Sequence, residues 1–209
     1  MQTIRTLLFT GGSIHDSPAI GEVLQAVLQR DGAFEVTWVQ EDLSVFEPAG
    51  LADYDLVVLY YEHGALSDAQ RNGLLGWVAS GKGFVGVHSA AVSFDECPEY
   101  FAMLGGRFLR HPPYRAFQVT VVDPEHPLTA GLDEFMAEDE QYLLDWDPRV
   151  HVLAAALHRR EAMPVAWTKS WGKGRVYYLS LGHDPRACGT EPFVALLVRG
   201  ARWAATGEA

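Results

Sequence analysis

The sequence predicts an α/β fold built on one mixed, mostly parallel sheet. In the first half of the chain, short apolar runs that are typical of buried strands alternate with patterns of helical period. In the last third, strand patterns follow one another with turns that are too short for a parallel crossover. The chain has 209 residues, of which 48% are hydrophobic, and this is enough for one sizeable core. We therefore expect a single domain over residues 1–209.

Two helices and four strands are predicted in the first half. The first helix begins at Ser17-Pro18, since Ser can cap a helix and Pro fits its first turn, and it stops at Gly32. The second helix is capped by Ser67 and ends at Gly81-Lys82-Gly83. The strands are Ile4–Phe9, Phe34–Val39, Tyr54–Tyr61 and Phe84–Val87. This β-α-β-β-α-β order is typical of a parallel sheet with right-handed crossovers.

The second half is predicted to add antiparallel strands and a closing helix. The turns Arg159-Arg160-Glu161 and Trp171–Gly174 are short enough for hairpins. The closing helix runs from Thr190 to Thr206, with Thr190 as its cap. Between Arg107 and Asp147 only one strand is predicted. The strands of this half are Phe117–Val122, Val150–Leu157, Pro164–Thr168 and Arg175–Leu181.

Charge and composition limit the kinds of partner that the protein can bind and indicate its cellular location. The formal net charge is -11 and no cluster of Lys and Arg stands out, so we expect neither nucleic-acid nor membrane binding. The apolar run near the N-terminus is too short for a signal peptide, and no run is long enough to span a bilayer. Two cysteines, Cys97 and Cys188, rule out a disulfide framework. We expect a cytoplasmic protein.

Four histidines follow the ends of four predicted strands: His15, His63, His88 and His183. In an open parallel sheet, ligands bind outside the carboxyl ends of the strands. Imidazole transfers protons near neutral pH and is a common metal ligand. If these strands are neighbours that point the same way, the histidines gather around one crevice.

His88 lies in Gly86-Val87-His88-Ser89-Ala90, where a strand is expected to turn sharply into a helix. The pattern resembles a nucleophile elbow, which exposes one side chain above the sheet. Here the elbow position carries His88, and Ser89 would point elsewhere. We assign Ser89 to substrate binding rather than to covalent catalysis. The alternative is a tight turn with a packed imidazole.

The loop Gly12-Ser13-Ile14-His15-Asp16 follows the first strand. A glycine-containing loop before a helix can cradle a phosphate. This one lacks both the G-x-G-x-x-G spacing and the P-loop lysine, so it gives little support for a nucleotide. Asp16 is either a substrate-binding residue or a helix cap.

Glu140 and Tyr142 belong to an acidic segment, Glu138–Tyr142. Most acidic triplets are simply solvated. Glu140 can instead orient a histidine or bind a metal, because ligating histidines usually have carboxylate partners. No H-E-x-x-H or C-x-x-C spacing is present, so a metal site would have to be assembled from separate loops.

Taken together, eight stretches resemble those of the trehalose-utilisation (ThuA-like) family, within the class I glutamine-amidotransferase-like superfold. They follow the family's order over nearly the whole chain: Thr10–Asp16, Gly81–Ser89, Gly105–Pro112, Val119–Pro127, Asp139–Tyr142, Pro164–Trp167, Gly172–Tyr178 and Gly182–Asp184. The resemblance implies a three-layer, flavodoxin-like sandwich with a mostly parallel central sheet. It also implies that amidotransferase chemistry is absent, since that chemistry needs a cysteine thiolate where this chain has His88.

The family is associated with catabolism of trehalose and related disaccharides, including 3-keto sugars. Our leading hypothesis is therefore an enzyme that acts on a sugar, and the resemblance and the strand-end positions together supply its site. The catalytic residues would be His88, His15, Glu140 and His183. The substrate-binding residues would be His111, Tyr142, His63, Asp16 and Ser89, although the residues flanking His63 differ from the family's pattern.

Two other functions remain open at this stage. One is a metal-dependent hydrolase of a non-sugar substrate, and the other is a non-catalytic sugar-binding module. A divalent metal, zinc or manganese, would be bound by residues drawn from His15, His88, His111, His183 and Glu140. The expected partner is a small molecule, a sugar in the leading hypothesis, and a homodimer is reasonable because most soluble oligomers are two-fold homodimers.

Overall fold

The structure, a computed structural model, describes residues 3–208 of the chain. Within this range it has a nine-stranded sheet and a separate two-stranded sheet. The strands are β1 (Ile4–Thr10), β2 (Phe34–Gln40), β3 (Leu56–Tyr60), β4 (Gly83–Val87), β5 (Gly106–Arg110), β6 (Arg115–Val121), β7 (Phe135–Asp139), β8 (Leu143–Trp146), β9 (His151–His158), β10 (Glu161–Trp171) and β11 (Gly174–Leu179). The α-helices are α1 (Ser17–Asp31), α2 (Pro48–Leu51), α3 (Asp68–Ala79), α4 (Pro98–Leu104), α5 (Pro185–Cys188) and α6 (Glu191–Thr206).

The large sheet has a parallel half and an antiparallel half. Its strand order is β2-β1-β3-β4-β11-β10-β9-β6-β7. The strands from β2 to β11 are parallel to their neighbours. The strands from β10 to β7 are each antiparallel to the strand before them. The predicted combination of parallel strands with C-terminal hairpins is thereby confirmed.

Helices cover both faces of the parallel half, which makes the three layers that were expected. Helices α1 and α6 pack on one face, and α3 and α4 pack on the other. Because side chains alternate across a strand, the central strands supply two cores. One core contains Leu8, Val58 and Val85, and the other contains Leu7, Val57 and Phe84. No helix among the described residues is long and apolar enough to cross a bilayer.

The helix ends follow the sequence signals with small differences. Asp16 is the N-cap of α1, with its Oδ1 accepting from the Ala19 N–H, and Gly32 ends the helix with a φ of 82°. Ser67 forms a complete capping box with Gln70 at the start of α3. Thr190 precedes α6 as predicted, but its hydroxyl donates to the Ala187 carbonyl and does not cap the helix.

Several elements were not predicted. The segment between Arg107 and Asp147, where only one strand was expected, also contains β7 and β8, and β5 begins just before it. Among the described residues, β5 and β8 pair only with each other, and in β5 Phe108 and the exposed Leu109 lie between two arginines. Helix α4 has only seven residues, so its buried Tyr100, Met103 and Leu104 form too short a pattern to predict a helix, and short helical turns fill the crossover between β2 and β3. These elements are fixed by tertiary packing rather than by a local pattern.

The antiparallel half returns the chain to the end of the parallel half. β7 is the edge strand of the large sheet, four antiparallel pairings away from β11, and therefore points the same way as β11. Its last residue, Asp139, accepts a hydrogen bond from the Gly182 N–H through Oδ2 at 2.7 Å. The residue that follows β7 therefore lies beside the loop that follows β11.

Candidate active site

Four side chains from four separate strand ends meet at one edge of the sheet. His15 lies in the loop after β1, His88 directly follows β4, His183 lies in the loop after β11, and Glu140 directly follows β7. One ligand atom from each lies within 4.8 Å of the others. The ring centroid of His15 is 5.0 Å from that of His88 and 4.9 Å from that of His183. We call these four residues the histidine–carboxylate cluster.

His88 is held in the cluster by the turn that begins with it. Its φ of 42° is in the left-handed region, which costs on the order of 1–3 kcal/mol for a non-glycine residue. Gly86 permits the tight packing beside it, because a Cβ there would lie 2.7 Å from the Leu104 Cδ1. His88 Nδ1 lies 2.7 Å from the Ser180 carbonyl and must donate to it, so Nε2 carries the lone pair.

Nε2 of His88 is a buried polar atom whose hydrogen-bonding capacity is not used. The residue is fully buried, and Nε2 has no hydrogen-bond partner. Its closest carboxylate atom is Glu140 Oε2, at 3.7 Å. Burial lowers the pKa of His88 below its ordinary value, although the Glu140 carboxylate opposes this. Because Nδ1 donates to the Ser180 carbonyl, the lone pair of Nε2 is directed into the cluster.

His15 is positioned by Glu62, a residue that follows β3. The Glu62 side chain is fully buried, and its Oε1 lies 3.1 Å from His15 Nδ1. Its two oxygens also accept the backbone N–H groups of Ile14 and His15, at 2.9 and 3.0 Å. Since the carboxylate can only accept, His15 Nδ1 is the donor, and the buried Nε2 is left without a partner.

Asp139 positions Glu140 and His183 through their backbone N–H groups. Asp139 Oδ1 accepts the N–H groups of Glu140 and His183, at 2.7 and 3.2 Å. Glu140 Oε2 then lies 3.1 Å from His183 Nδ1, without the alignment of a hydrogen bond. The nearby carboxylate raises the pKa of His183, against the opposing effect of burial.

The cluster concentrates negative charge that no Lys or Arg among the described residues balances. Glu62, Asp139 and Glu140 are buried or nearly so, and within residues 3–208 none of them forms an ion pair with Lys or Arg. Burial alone would raise the pKa of Glu140, but the imidazoles of His183 and His88 outweigh it and hold that pKa well below its ordinary value. Burial raises the pKa of Asp139. A cation in the cluster would relieve this imbalance.

The cluster opens to solvent on one side. The side chains of His15 and His88 are 5% and 0% exposed, whereas those of Glu140 and His183 are 13% and 28% exposed. On this side lies His111, at 35% exposure, with Nδ1 3.5 Å from Glu140 Oε1 and 2.9 Å from the Pro112 carbonyl. A substrate would approach from the side of His111.

Tyr142 forms one wall of the cluster. Its ring centroid lies 4.0 Å from that of His88 and 6.2 Å from that of His111. The residue is only 3% exposed, and burial raises the pKa of its hydroxyl well above the ordinary value. Tyr142 therefore packs against the imidazoles and helps to hold them in place.

The other residues that the sequence assigned to substrate binding lie outside the cluster. His63 has a φ of 60° and an exposed ring whose Nδ1 lies 2.9 Å from Asp95 Oδ2. Asp16 caps α1. Ser89 is fully buried, and its hydroxyl has no partner. Of this predicted set, the structure brings His111 and Tyr142 to the cluster.

The loop after β1 is not arranged to cradle a phosphate. Its backbone donors are occupied by carboxylates: Gly12 N–H donates to Glu41 Oε1 at 2.7 Å, and Ile14 N–H donates to Glu62. A phosphate would have to compete with two negative groups at short range. The loop serves instead to hold His15.

Sequence reasoning did not single out Glu62 or Asp139. Each is one acidic residue in a polar segment, and such residues are usually solvated. The available signal was position, since both lie at or just beyond a strand end that faces the predicted crevice. Their role follows only from burial, which a single sequence does not show.

The donor set fits a divalent metal ion. Two buried Nε2 atoms without partners, His183 Nδ1 and Glu140 Oε2 provide three nitrogens and one oxygen, a combination that zinc and manganese accept. Ligand atoms about 2.1 Å from one ion are ~3.4 Å apart in a tetrahedral site and at most ~4.4 Å apart in any geometry. A spread of 4.8 Å therefore requires the site to close by between a few tenths of an ångström and roughly 1.4 Å. The carbonyl and carboxylate that hold His88 and His15 are the usual outer partners of metal-bound imidazole.

The fold and the cluster define an α/β sandwich protein with a histidine-rich site at the carboxyl edge of its parallel strands. A family model described as "ThuA: Trehalose utilisation" matches residues 5–204. The chain belongs to this family. No curated protein matches the chain.

Solved structures agree with this assignment. A ThuA-like protein from Parabacteroides merdae is 26% identical, with a TM-score of 0.85 over 100% of this chain and 92% of its own. A ThuA-like protein from Bacteroides uniformis is 22% identical, with a TM-score of 0.83 over 99% of this chain and 93% of its own. A cytoplasmic protein from Salmonella typhimurium is 15% identical, with a TM-score of 0.71 over 96% of this chain and all of its own. The last two likenesses concern the fold alone.

Proposed function

We propose that this protein is a metal-dependent enzyme that acts on a neutral sugar, with the histidine–carboxylate cluster as its metal centre. The observation that carries the proposal is a pair of buried Nε2 atoms, on His15 and His88. Neither atom has a hydrogen-bond partner, and both lie near the Glu140 carboxylate. Leaving a buried polar atom unpaired costs about 1–3 kcal/mol, so two such atoms aimed at one point favour a ligand between them.

The substrate class is supported by the family and by the charge of the site. The family is that of trehalose utilisation. The cluster contains carboxylates and no paired Lys or Arg among the described residues, which disfavours phosphorylated and other anionic substrates. Trehalose, related disaccharides and their keto forms are neutral and carry the hydroxyl or carbonyl oxygens that such a site can bind. A cytoplasmic location is part of the proposal, and the likeness to the Salmonella protein is consistent with it.

The chain's own residues prepare the site for this chemistry. When bound, a divalent cation polarises a sugar hydroxyl or carbonyl oxygen as a Lewis acid. Glu62 and the Ser180 carbonyl keep the protons of His15 and His88 on Nδ1. His111 donates from Nδ1 to the Pro112 carbonyl, which leaves Nε2 to accept a hydrogen bond from a sugar hydroxyl. Burial of the deep half of the cluster excludes water from the reacting oxygen.

The test is turnover on a panel of disaccharides and their 3-keto forms, with and without Zn²⁺ or Mn²⁺. Wild type is expected to turn over at least one member, and His88→Ala is expected to lose at least 100-fold in kcat/KM. His151→Ala is the matched control, since His151 is exposed, paired with Asp123 and remote from the cluster. Turnover that is independent of metal and unchanged in His88→Ala would refute the mechanism. Sugar binding with no turnover would instead support a non-catalytic module.

A further inference from the structure

One face of the antiparallel half of the sheet is exposed over β6, β7 and the ends of β9 and β10 next to their shared turn. Along β6 the core residues Phe117 and Val119 alternate with exposed residues from Ala116 to Thr120, and Val122 beyond the strand is also exposed. On β7, Met136 is exposed while Ala137 is buried. We call the exposed side the open face, defined by Ala116, Gln118, Thr120, Val122, Met136, Glu138, Leu157 and Ala162.

The open face holds most of the exposed apolar bulk of the described residues. Met136, Leu157 and Val122 are 64%, 69% and 51% exposed, and they are three of the five large hydrophobic side chains with high exposure. Single exposed apolar residues are ordinary, but three large ones on one small face favour an interaction surface.

Strand register places these side chains in one row. Met136 on β7 is paired with Gln118 on β6. Val119 is paired with Ala156, so Gln118 is opposite Leu157 on β9, and Leu157 is in turn paired with Ala162 on β10. Residues opposite each other in antiparallel strands share a face. The row therefore runs Met136, Gln118, Leu157, Ala162, with its two large apolar groups on either side of the glutamine.

We propose that the open face is the interface of a homodimer, in which a second copy of this chain packs on it face to face. The row is self-complementary about Gln118. A two-fold axis parallel to β6 sets Met136 of each copy against the partner's Leu157, with the two glutamines facing each other across the interface. Such packing of two sheets with their strands roughly aligned is common in sandwiches. This inference does not depend on the metal centre.

Charge complementarity favours a second copy over an unrelated partner. Glu138 lies on β7 at one side of the row, and Arg159 and Arg160 lie in the β9–β10 turn at the other side. All three are exposed, and within residues 3–208 none of them forms an ion pair. The same two-fold axis brings Glu138 of each copy towards the partner's Arg159 and Arg160.

The size of the face predicts a weak dimer. Four strands about 4.8 Å apart and five residues of ~3.3 Å each give a footprint of roughly 19 by 17 Å. Because side chains make the surface uneven, the accessible area is larger than this flat footprint, and the two copies together would bury about 1,000 Å². This is the lower bound for a specific interface. We expect a Kd in the micromolar range.

Sedimentation velocity between about 1 and 200 µM tests the interface. Wild type is expected to shift from monomer to dimer, and Met136→Glu and Leu157→Glu are each expected to raise the Kd at least tenfold. Both residues are exposed, so neither change should prevent folding. Leu109→Glu is the matched control, because Leu109 is 58% exposed but lies on β5 in the other sheet. A wild type that stays monomeric at 200 µM, or a dimer that survives both substitutions, overturns the proposal.

A charge exchange tests the orientation of the two copies. Glu138→Arg alone and Arg159→Glu combined with Arg160→Glu should each remain monomeric, because like charges would meet at both contacts. When the two variants are mixed, every contact again joins opposite charges, and a one-to-one dimer is expected. A mixture no more dimeric than its separate components would contradict the proposed two-fold arrangement.

Discussion

The two deep imidazoles of the cluster have their tautomers set by what each Nδ1 contacts. Glu62 accepts from His15, and the Ser180 carbonyl accepts from His88. Both contacts force the lone pairs onto Nε2, the atoms that face Glu140 and His183. The site is therefore arranged before any ligand arrives, and the positioning residues matter as much as the four residues they hold.

Replacing Glu62 should weaken metal binding without unfolding the protein. In Glu62→Gln the amide oxygen can still accept one hydrogen bond, but the negative charge that favours the donor tautomer of His15 is lost. We expect Zn²⁺ affinity to fall about 10–100-fold, measured by competition with a chelating dye. Glu41→Gln is the control, since Glu41 holds the same loop at Gly12 but contacts no imidazole. Equal losses in the two variants would mean that the loop, and not the Glu62–His15 pair, governs affinity.

At this scale the sequence predicts the histidines better than the carboxylates. His15, His88 and His183 are expected from position alone, since each follows an apolar run that reads as a strand. Glu140 is supported by the family resemblance, because its acidic neighbours make it look solvated. Glu62 and Asp139 lie outside the prediction, since their importance depends on burial and on partners more than 40 residues away in the chain.

Among the elements, the central strands and their crossover helices follow directly from hydrophobic period and capping. β3 and β4 are continuous apolar runs, β1 contains the apolar run Leu7-Leu8-Phe9, and the Ser67 capping box marks the start of α3. β5, β8 and α4 could not be predicted. Each has seven residues or fewer, so the buried and exposed positions do not repeat often enough to show a period. The unpredicted β7 is the element that delivers Glu140.

Two helical glycines should respond in opposite ways to the same substitution. A Cβ on Gly200 in α6 would lie 2.1 Å from the fully buried ring of Tyr177, whereas a Cβ on Gly76 in α3 would meet open space. We expect Gly200→Ala to destabilise the protein by about 1–3 kcal/mol, because α6 must move away from β11. Gly76→Ala should stabilise it by about 0.5–1 kcal/mol. Urea unfolding measures both, and a neutral or stabilising Gly200→Ala would show that the α6–β11 contact is looser than described.

For the whole molecule, the fold class, its three layers and the large mixed sheet follow from element order and loop length, whereas the small β5–β8 sheet does not. The position of β7, whose end lies beside the loop after β11, cannot be predicted in this way. It depends on β-bulges in β10 and on the long-range pairing of β6 with β9. The sequence thus predicts which edge of the sheet carries the site, but not that the antiparallel half completes it.

Global stability should have an acid-sensitive component at the opposite edge of the sheet. Asp55 accepts hydrogen bonds from Arg5 and Lys82, which outweigh the effect of burial and lower its pKa from 3.8 to about 2. A pKa that is lower in the folded state stabilises the protein above the unfolded value, and this contribution disappears as the pH falls from about 4 towards 2. Because Asp55 is partly exposed, we expect it to contribute about 1–2 kcal/mol at neutral pH.

Comparison of Asp55→Asn with wild type by urea unfolding measures this contribution. The difference in unfolding free energy should be about 1–2 kcal/mol at pH 7 and should shrink to near zero around pH 2. A difference that stays constant across this range would assign the effect to packing rather than to charge.

The central claim is that loops from four strand ends form one metal centre. The most direct measurement is elemental analysis of untagged protein after equilibration with Zn²⁺ or Mn²⁺ and removal of free ions, with the thermal midpoint recorded alongside. We predict about one ion per chain in wild type, a rise of several degrees in Tm, and loss of both in His88→Ala. Protein that retains neither ion and shows no change in Tm would contradict the account.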